Sequence, residues 1–154
     1  MPLDDHFETS MPMMLYRALD ILMPRFKTIY RQFDLTEQQW RILRVLWERE
    51  SLSVLLLCEQ TLIPAPSLVG VIDRLELRGL VMRQRDSADR RKVMVAITAD
   101  GRALKEQVTP LIAKAYRDAE ASATTEVWAQ LKDSLQRFNQ VQTSGNGTGG
   151  IPNG

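Results

Sequence analysis

The fold is decided by residues 64–98, which read PAPSLVGVIDRLELRGLVMRQRDSADRRKVMVAIT. Proline is tolerated in the first turn of a helix and glycine is typical of the residue just past its end, so the pattern predicts a helix from Pro64 to Gly79. Apolar and polar residues then alternate in 80–85 and in 93–97, on either side of the polar segment 86–91. The stretch therefore predicts a helix followed by a β-hairpin with an exposed, charged tip.

Two helices are predicted before a short third one. Apolar residues recur at three- and four-residue steps over 12–32 and predict the first helix, which Pro24 either kinks or leaves short of one hydrogen bond. Thr36 and Gln39 have the spacing of a capping box, which opens the second helix.

The remaining boundaries complete the predicted fold. The short third helix follows Ser51 or Ser53, Thr98 caps a long fifth helix that bends near Pro110, and a sixth begins near Thr124. The order is thus four helices, two strands and two further helices. It predicts a mainly α protein with a winged helix-turn-helix, in which the small β-hairpin is the wing.

The composition excludes several classes of protein. The chain has 154 residues, a formal net charge of +1, one cysteine and one histidine, so it forms no internal disulfide and lacks the ligands for a Cys/His zinc site. No apolar run approaches the ~20 residues of a membrane span. The acidic N-terminus does not have the apolar core of a secretory signal. We expect a soluble, cytoplasmic, single-domain protein without a cofactor.

Positive charge is concentrated in one segment of this nearly neutral chain. Residues 74–92 contain seven basic and three acidic side chains, a net charge of +4. A compact basic region on an otherwise neutral molecule indicates a localised face for binding anions, such as nucleic acid.

The fourth helix is the candidate reader of DNA, because an α-helix fits the major groove and presents its first turns to the base edges. Helical spacing places Ser67, Gly70, Arg74 and Arg78 on a face away from the core. Gly70 costs about 1 kcal/mol relative to alanine inside a helix. Close approach of a phosphate strand or of the third helix would explain it, and easier helix packing alone is the alternative.

The hairpin tip is the second candidate contact. Arg90 and Arg91, followed by Lys92, suit the narrow minor groove, where negative potential is concentrated. We expect Asp86 and Asp89 to orient these arginines through ion pairs, Asp89 with Arg91 or with an arginine of the fourth helix. A solvated, charged turn without function is the alternative.

Several segments of the sequence resemble the MarR family of bacterial winged-helix transcriptional regulators. The segments that carry the resemblance are 74–83 (RLELRGLVMR), 86–92 (DSADRRK) and 97–101 (ITADG). The segments LTEQQWR (35–41) and PSLVG (66–70) further resemble the branch that regulates homoprotocatechuate degradation operons.

The resemblance implies a function and a mode of regulation. It implies a homodimer that binds a palindromic operator, with repression relieved by a small aromatic acid or phenolic compound. It also implies that Arg91 is the wing arginine and Asp89 the wing aspartate. Ser87 stands where many members have proline, a departure that leaves the charged positions intact.

A dimer is also predicted from the apolar stripes themselves. A winged core of about 35–98, the predicted DNA-binding lobe, is too small to cover the stripes of the first and last two helices. We therefore expect 10–33 and 99–141 to be dimerisation helices that set two reading helices about one DNA turn apart, ~34 Å. Residues 142–154, which are rich in glycine and uncharged, are predicted to be a disordered tail.

A ligand site is predicted where the first, second and fifth helices meet the winged core. There an arginine would pair with a carboxylate, and aromatic side chains would stack on a ring. The alternative is that aromatic residues at helical spacing belong to the core. The candidate residues are Tyr16, Arg17, Trp40, Arg41 and Trp47.

Other functions are less well supported by the sequence. An enzyme is disfavoured because we find no phosphate-binding loop, nucleophile elbow or metal-ligand cluster. A winged helix that binds protein is the rival function, and Arg74, Arg90 and Arg91 argue against it. Cys58 is a candidate oxidation sensor, although the three leucines before it favour an inert, buried thiol.

Overall fold

The computed structural model describes residues 6–145 and confirms the predicted winged helix-turn-helix architecture. A single 3₁₀ turn precedes the first helix. The elements are α1 (Met11–Gln32), α2 (Glu37–Arg49), β1 (Ser51–Ser53), α3 (Val54–Thr61), α4 (Ala65–Leu77), β2 (Val81–Arg85), β3 (Val93–Ile97), α5 (Ala99–Ala123) and α6 (Thr125–Gly145).

The helix ends lie where the capping residues predict them. Thr36 and Gln39 form both hydrogen bonds of the capping box, from Gln39 N to Thr36 Oγ1 at 3.2 Å and from Thr36 N to Gln39 Oε1 at 2.9 Å. Ser53 caps α3 by accepting from the amide of Leu56. Gly79 follows α4 with a φ of +69°, the left-handed conformation expected of a C′ glycine.

The sheet has one strand more than the sequence predicts. The order is β1-β3-β2 and both pairs are antiparallel, with Val81 opposite Ile97 and Ser51 opposite Ala96. The segment Ser51–Ser53 has only three residues, too few to show the period-2 alternation that marks a strand. The strand is recognised only by its pairing with β3 in the structure.

The helix-turn-helix is built by α3 and α4, which are bent by 106° relative to each other. This angle is within the range of about 90–120° that is usual for the motif. In the intervening turn Leu62 adopts a left-handed backbone with φ 54° and ψ 30°. The hydrophobic core of the helix-turn-helix consists of fully buried apolar side chains of α2, α3 and α4, including Leu46, Leu57, Leu68 and Leu75.

The chain divides into two compact units, Met1–Ala113 and Lys114–Gly154, with the boundary inside α5. In the second unit Thr124, with φ 62°, separates α5 from α6. The backbone of α6 continues to Gly145, so the first four residues of the predicted tail are helical. The remainder of that tail, 146–154, lies outside the described residues.

The second unit presents an apolar stripe to solvent. Its members recur at steps of three and four residues along α6, so they share one face. They are exposed by 37–70%: Val127, Leu131, Leu135, Phe138 and Val141.

Among the described residues, no single helix has the length and apolar composition to cross a membrane; α3 and α4 have them only when taken together across their bend.

Candidate nucleic-acid interface

The exposed face of α4 is the centre of the candidate interface. Leu68, Val71, Ile72 and Leu75 are buried against the core. By helical spacing, the residues opposite to them are Pro66, Gly70, Asp73 and Leu77, with Ser67 and Arg74 on one flank. The predicted set Ser67, Gly70 and Arg74 is therefore exposed or open, but the outermost line of the helix contains an acidic residue that the sequence analysis did not include.

Gly70 faces open space. A Cβ atom added to it would have no atom of the described chain within 4 Å. The two packing explanations, close approach of α3 and easier helix packing, are therefore wrong for the described residues. Close approach of a phosphate strand, the third explanation, stays a prediction.

The two predicted arginines of this helix have different surroundings. Arg74 is exposed, and within 6–145 its guanidinium has no hydrogen-bond or ion-pair partner. Arg78 lies at the C-cap of α4 instead of within it, and its guanidinium donates to the backbone carbonyls of Asp34 (2.7 Å) and Phe33 (2.9 Å). The expectation that Arg78 is free for DNA is thus corrected: it joins the end of α4 to the turn between α1 and α2.

The wing is ordered by its two aspartates. Asp86 Oδ1 accepts from the amides of Ala88 and Asp89, both at 2.8 Å, which closes the turn. Within the described residues Asp86 thus orders the backbone, and the expectation that it forms an ion pair with an arginine is corrected. Asp89 Oδ1 accepts from the amide and from Nε of Arg91, both at 3.1 Å. Of the two partners considered for Asp89, the structure therefore has Arg91. These hydrogen bonds from Arg91 hold the pKa of the Asp89 carboxyl below its usual value.

The wing directs cations into solvent. The Arg91 side chain is 92% exposed despite its ion pair. Arg90 is exposed, and within the described residues its guanidinium has no hydrogen-bond or ion-pair partner. Lys92 is also exposed, next to Asp89. The predicted wing contacts are thus accessible to a polyanion.

Arg83 connects the wing to α4 and was missed as a site residue. Its guanidinium donates to Asp73 Oδ1 and to Glu76 Oε2, each at 2.5 Å, and its amide donates to Glu76 Oε1 at 2.8 Å. The two hydrogen bonds that Glu76 accepts, from the Arg83 amide and then from its guanidinium, lower the pKa of the Glu76 carboxyl. A signal was present in the sequence: two acidic residues three apart on a helix, followed by an arginine on the strand that returns along it.

Three of the five predicted ligand residues have partners within the described fold. Trp40 and Trp47 are buried; Trp40 stacks on Tyr30 with centroids 4.8 Å apart, and Trp47 Nε1 donates to the carbonyl of Gly101 at 2.8 Å. This is the core alternative that the sequence left open. Arg41 is also used inside the fold, because its Nη1 donates to the carbonyl of Thr61 at the end of α3 (2.8 Å).

Tyr16 and Arg17 lie on the exposed part of α1. Arg17 is 3.8 Å from a Glu8 carboxylate oxygen. Tyr16 lines an open groove of about 310 Å³, whose described lining includes none of the other four candidates. The lining residues are Tyr16, Leu19, Asp20, Met23, Pro24, Lys27 and Glu37. Cys58, the candidate oxidation sensor, is a half-buried free thiol on α3.

Comparisons with known proteins identify the family. Residues 35–93 match the sequence profile of the MarR family. The homoprotocatechuate degradative operon repressor of Escherichia coli is 38% identical over 129 residues, which cover 84% of this chain and 87% of that relative. The chain belongs to the MarR family. It is a winged-helix transcriptional regulator and not an enzyme, as the sequence predicts.

Two solved structures share the MarR fold over nearly the whole chain. NadR in complex with 4-hydroxyphenylacetate is 33% identical, with a TM-score of 0.78 over 88% of this chain and 98% of that one. BpsR of Bordetella bronchiseptica, whose DNA binding is regulated by 6-hydroxynicotinic acid, is 28% identical, with a TM-score of 0.79 over 90% and 98%.

Proposed function

We propose that the protein is a homodimeric repressor that binds a palindromic operator through α4 and the wing. The observation that carries the proposal is the exposed α4 face, with an open Gly70 and an unpaired Arg74 beside a wing of exposed cations. Ser67, Gly70 and Arg74 would lie in the major groove, and Arg90, Arg91 and Lys92 would contact the minor groove or phosphates. Because its partner would be chromosomal DNA, we place the protein in the cytoplasm.

The dimer is proposed from the apolar stripe of α6. Exposed large apolar residues that form a continuous face indicate an interface, whereas scattered ones do not. A similar exposed series, Phe7, Met11, Met14 and Ile21, extends along the start of the chain and α1. A two-fold dimer would bury these faces and present two α4 helices to successive turns of DNA.

We also propose that the effector is a hydroxylated aromatic carboxylic acid. The ligands named for NadR and BpsR, 4-hydroxyphenylacetate and 6-hydroxynicotinic acid, both combine a ring, a hydroxyl and a carboxylate. The E. coli relative represses an operon for the degradation of a compound of the same class. Tyr16 and Arg17 on α1 are exposed and stay the first candidates for variants.

The DNA assignment is tested by alanine variants in the two elements. Binding would be measured on duplexes selected from a random-sequence library and on unselected DNA, over a range of salt concentrations. We expect Arg91→Ala to weaken binding to selected and to unselected duplexes about equally. The slope of log affinity against log salt concentration should become smaller by roughly one. Arg74→Ala should weaken binding and change the preferred sequence. Arg31→Ala, the same change on the exposed end of α1, is the control.

Two outcomes decide the proposal. If Arg74→Ala and Arg91→Ala bind like Arg31→Ala, the assignment of α4 and the wing fails. For the effector, 4-hydroxyphenylacetate would be titrated against phenylacetate, which lacks the hydroxyl, and 4-methylphenol, which lacks the carboxylate. An effector must stabilise the protein and also change its affinity for DNA, because regulation requires different affinities for two states. A compound that only stabilises the protein is not the effector.

A further inference from the structure

We propose that Asp73 is a specificity-determining residue, whose carboxylate accepts a hydrogen bond from an exocyclic amino group at a base edge in the major groove, cytosine N4 foremost. The inference rests on the proposed function, since it requires that α4 lies in that groove. It assigns the chemistry of one operator position to one side chain.

The position of Asp73 is unusual for a surface that approaches a polyanion. It belongs to the outermost line of α4, one turn after the open Gly70 and next to the unpaired Arg74. Its side chain is 59% exposed. A carboxylate there repels phosphate and lowers affinity for DNA of any sequence. Such a group is useful in a recognition helix if it binds a particular base. The carboxylate then lowers affinity only for sequences that lack this base, and so increases specificity.

Arg83 holds the carboxylate in place. Its Nη2 donates to Asp73 Oδ1, while its Nη1 and amide are fixed by Glu76, and only 28% of the Arg83 side chain is exposed. The Asp73 Oδ2 atom makes no hydrogen bond to the described chain. One oxygen is therefore anchored and the other is available, which is the arrangement of a preorganised acceptor with a supporting shell.

The chemistry of an acceptor limits what Asp73 can read. An ionised carboxylate only accepts hydrogen bonds. In the major groove, the base-edge donors are cytosine N4 and adenine N6, whereas guanine O6 and N7 and thymine O4 are acceptors that repel it. Acidic side chains pair with cytosine N4, while adenine is best read by an amide that also donates to N7. Cytosine is therefore the expected base, and adenine is the second source of the same amino group.

A purely structural role for Asp73 makes different predictions. If its ion pair only fastens α4 to β2, removal of Asp73 should resemble removal of the other acidic partner of Arg83. Glu76 is that partner, and it is a matched control because Glu76→Gln disturbs the same guanidinium without changing the outermost line of α4. The two roles are thus separable by sequence preference.

The experiment is selection from a random duplex library with the wild-type protein, Asp73→Ala, Asp73→Asn and Glu76→Gln, followed by affinity measurements on the selected duplexes. We expect the wild type to enrich one base pair, C·G or else A·T, at a position of each half-site where the preference depends on Asp73. Asp73→Ala should lose about tenfold of discrimination at that position alone, and should bind unselected DNA more tightly because a negative charge is removed. Asp73→Asn should shift the preference to adenine. Glu76→Gln should keep the wild-type preference.

Each failure has a distinct meaning. Unchanged selection by Asp73→Ala overturns the inference and leaves the proposed function intact. Equal loss of preference in Asp73→Ala and Glu76→Gln overturns it in favour of a structural ion pair. If the wild-type protein enriches no sequence at all, the proposed function itself fails.

Discussion

The winged core and helix α6 have apolar residues at the same helical spacing, but these residues are buried in the core and exposed on α6. In α4, Leu68, Ile72 and Leu75 recur at helical spacing and are completely buried or nearly so. In α6, Leu131 and Leu135 recur at the same spacing and are exposed. The winged core buries its own apolar face, whereas α6 keeps an exposed apolar face, which we propose is covered by the partner subunit. Periodicity thus identifies a buried face but not the chain that buries it.

The largest expected effect is loss of the dimer when the α6 face is charged. The double variant Leu131→Glu, Leu135→Glu would force carboxylates into an apolar interface, where unpaired charges are strongly unfavourable. We expect the dimer dissociation constant to rise on the order of 1000-fold or more, about 4 kcal/mol. Light scattering over a range of protein concentrations measures it, and operator affinity should fall as well.

The control for that variant is Gln136→Glu, which adds a carboxylate on the opposite face of α6. It should remain dimeric. A double variant that dimerises as tightly as the wild type would show that α6 is not the dimer face. The winged core should keep its helical circular dichroism in either case, because its buried side chains lie in another unit.

The second largest expected effect is a loss of stability when a buried position of the winged core is substituted. A Cβ atom on Gly101 would lie 2.3 Å from the carbonyl oxygen of Leu80 and 2.5 Å from Ile97 Cδ1. The Leu80 carbonyl belongs to the backbone and the Ile97 side chain is buried, so neither can move away easily. Trp47 also donates to the Gly101 carbonyl. We expect Gly101→Ala to lower the free energy of unfolding by about 3 kcal/mol. Urea unfolding measures the change, and a loss below about 1 kcal/mol would contradict the close contact.

Gly70→Ala makes the same substitution with the opposite expected sign. Since nothing of the described chain lies near the new methyl group, alanine should stabilise α4 by about 1 kcal/mol. The methyl group would, however, stand between α4 and DNA, so operator affinity should fall roughly tenfold, the size of one disturbed base-pair contact. Thermal unfolding and binding titrations measure the two changes. If both stability and affinity rise, Gly70 does not face DNA.

The local signals in the sequence were sufficient for most of the fold. The Thr36–Gln39 capping box, the C′ glycine at position 79 and the alternation of 93–97 each depend on neighbours along the chain, and the structure has all three. The strand Ser51–Ser53 could not be predicted, because it is defined by pairing with β3, more than forty residues away.

The site was less predictable for the same physical reason. Helical spacing alone puts Arg78 on the DNA side, but carbonyls from a distant turn hold its guanidinium. Exposure of Asp73 and its ion pair with Arg83 depend on where β2 returns along α4. Composition does not distinguish charges that are neutralised by partners distant in the sequence from free charges. A count of basic residues therefore overestimates how many of them are available to bind DNA.

The smallest expected effect concerns the ionic link within the winged core. The hydrogen bonds from Arg83 lower the pKa of Glu76 below its usual 4.5, so the link contributes stability that is complete above that value and lost as the pH falls through the lowered one. Because Glu76 is more than one third exposed, we expect Glu76→Gln to reduce stability by only about 0.5 kcal/mol at pH 7. The difference from the wild type, measured by urea unfolding, should vanish in acid. A difference that persists unchanged in acid, where Glu76 is protonated in the folded protein, would mean that packing of the side chain, and not its charge, joins α4 to the wing.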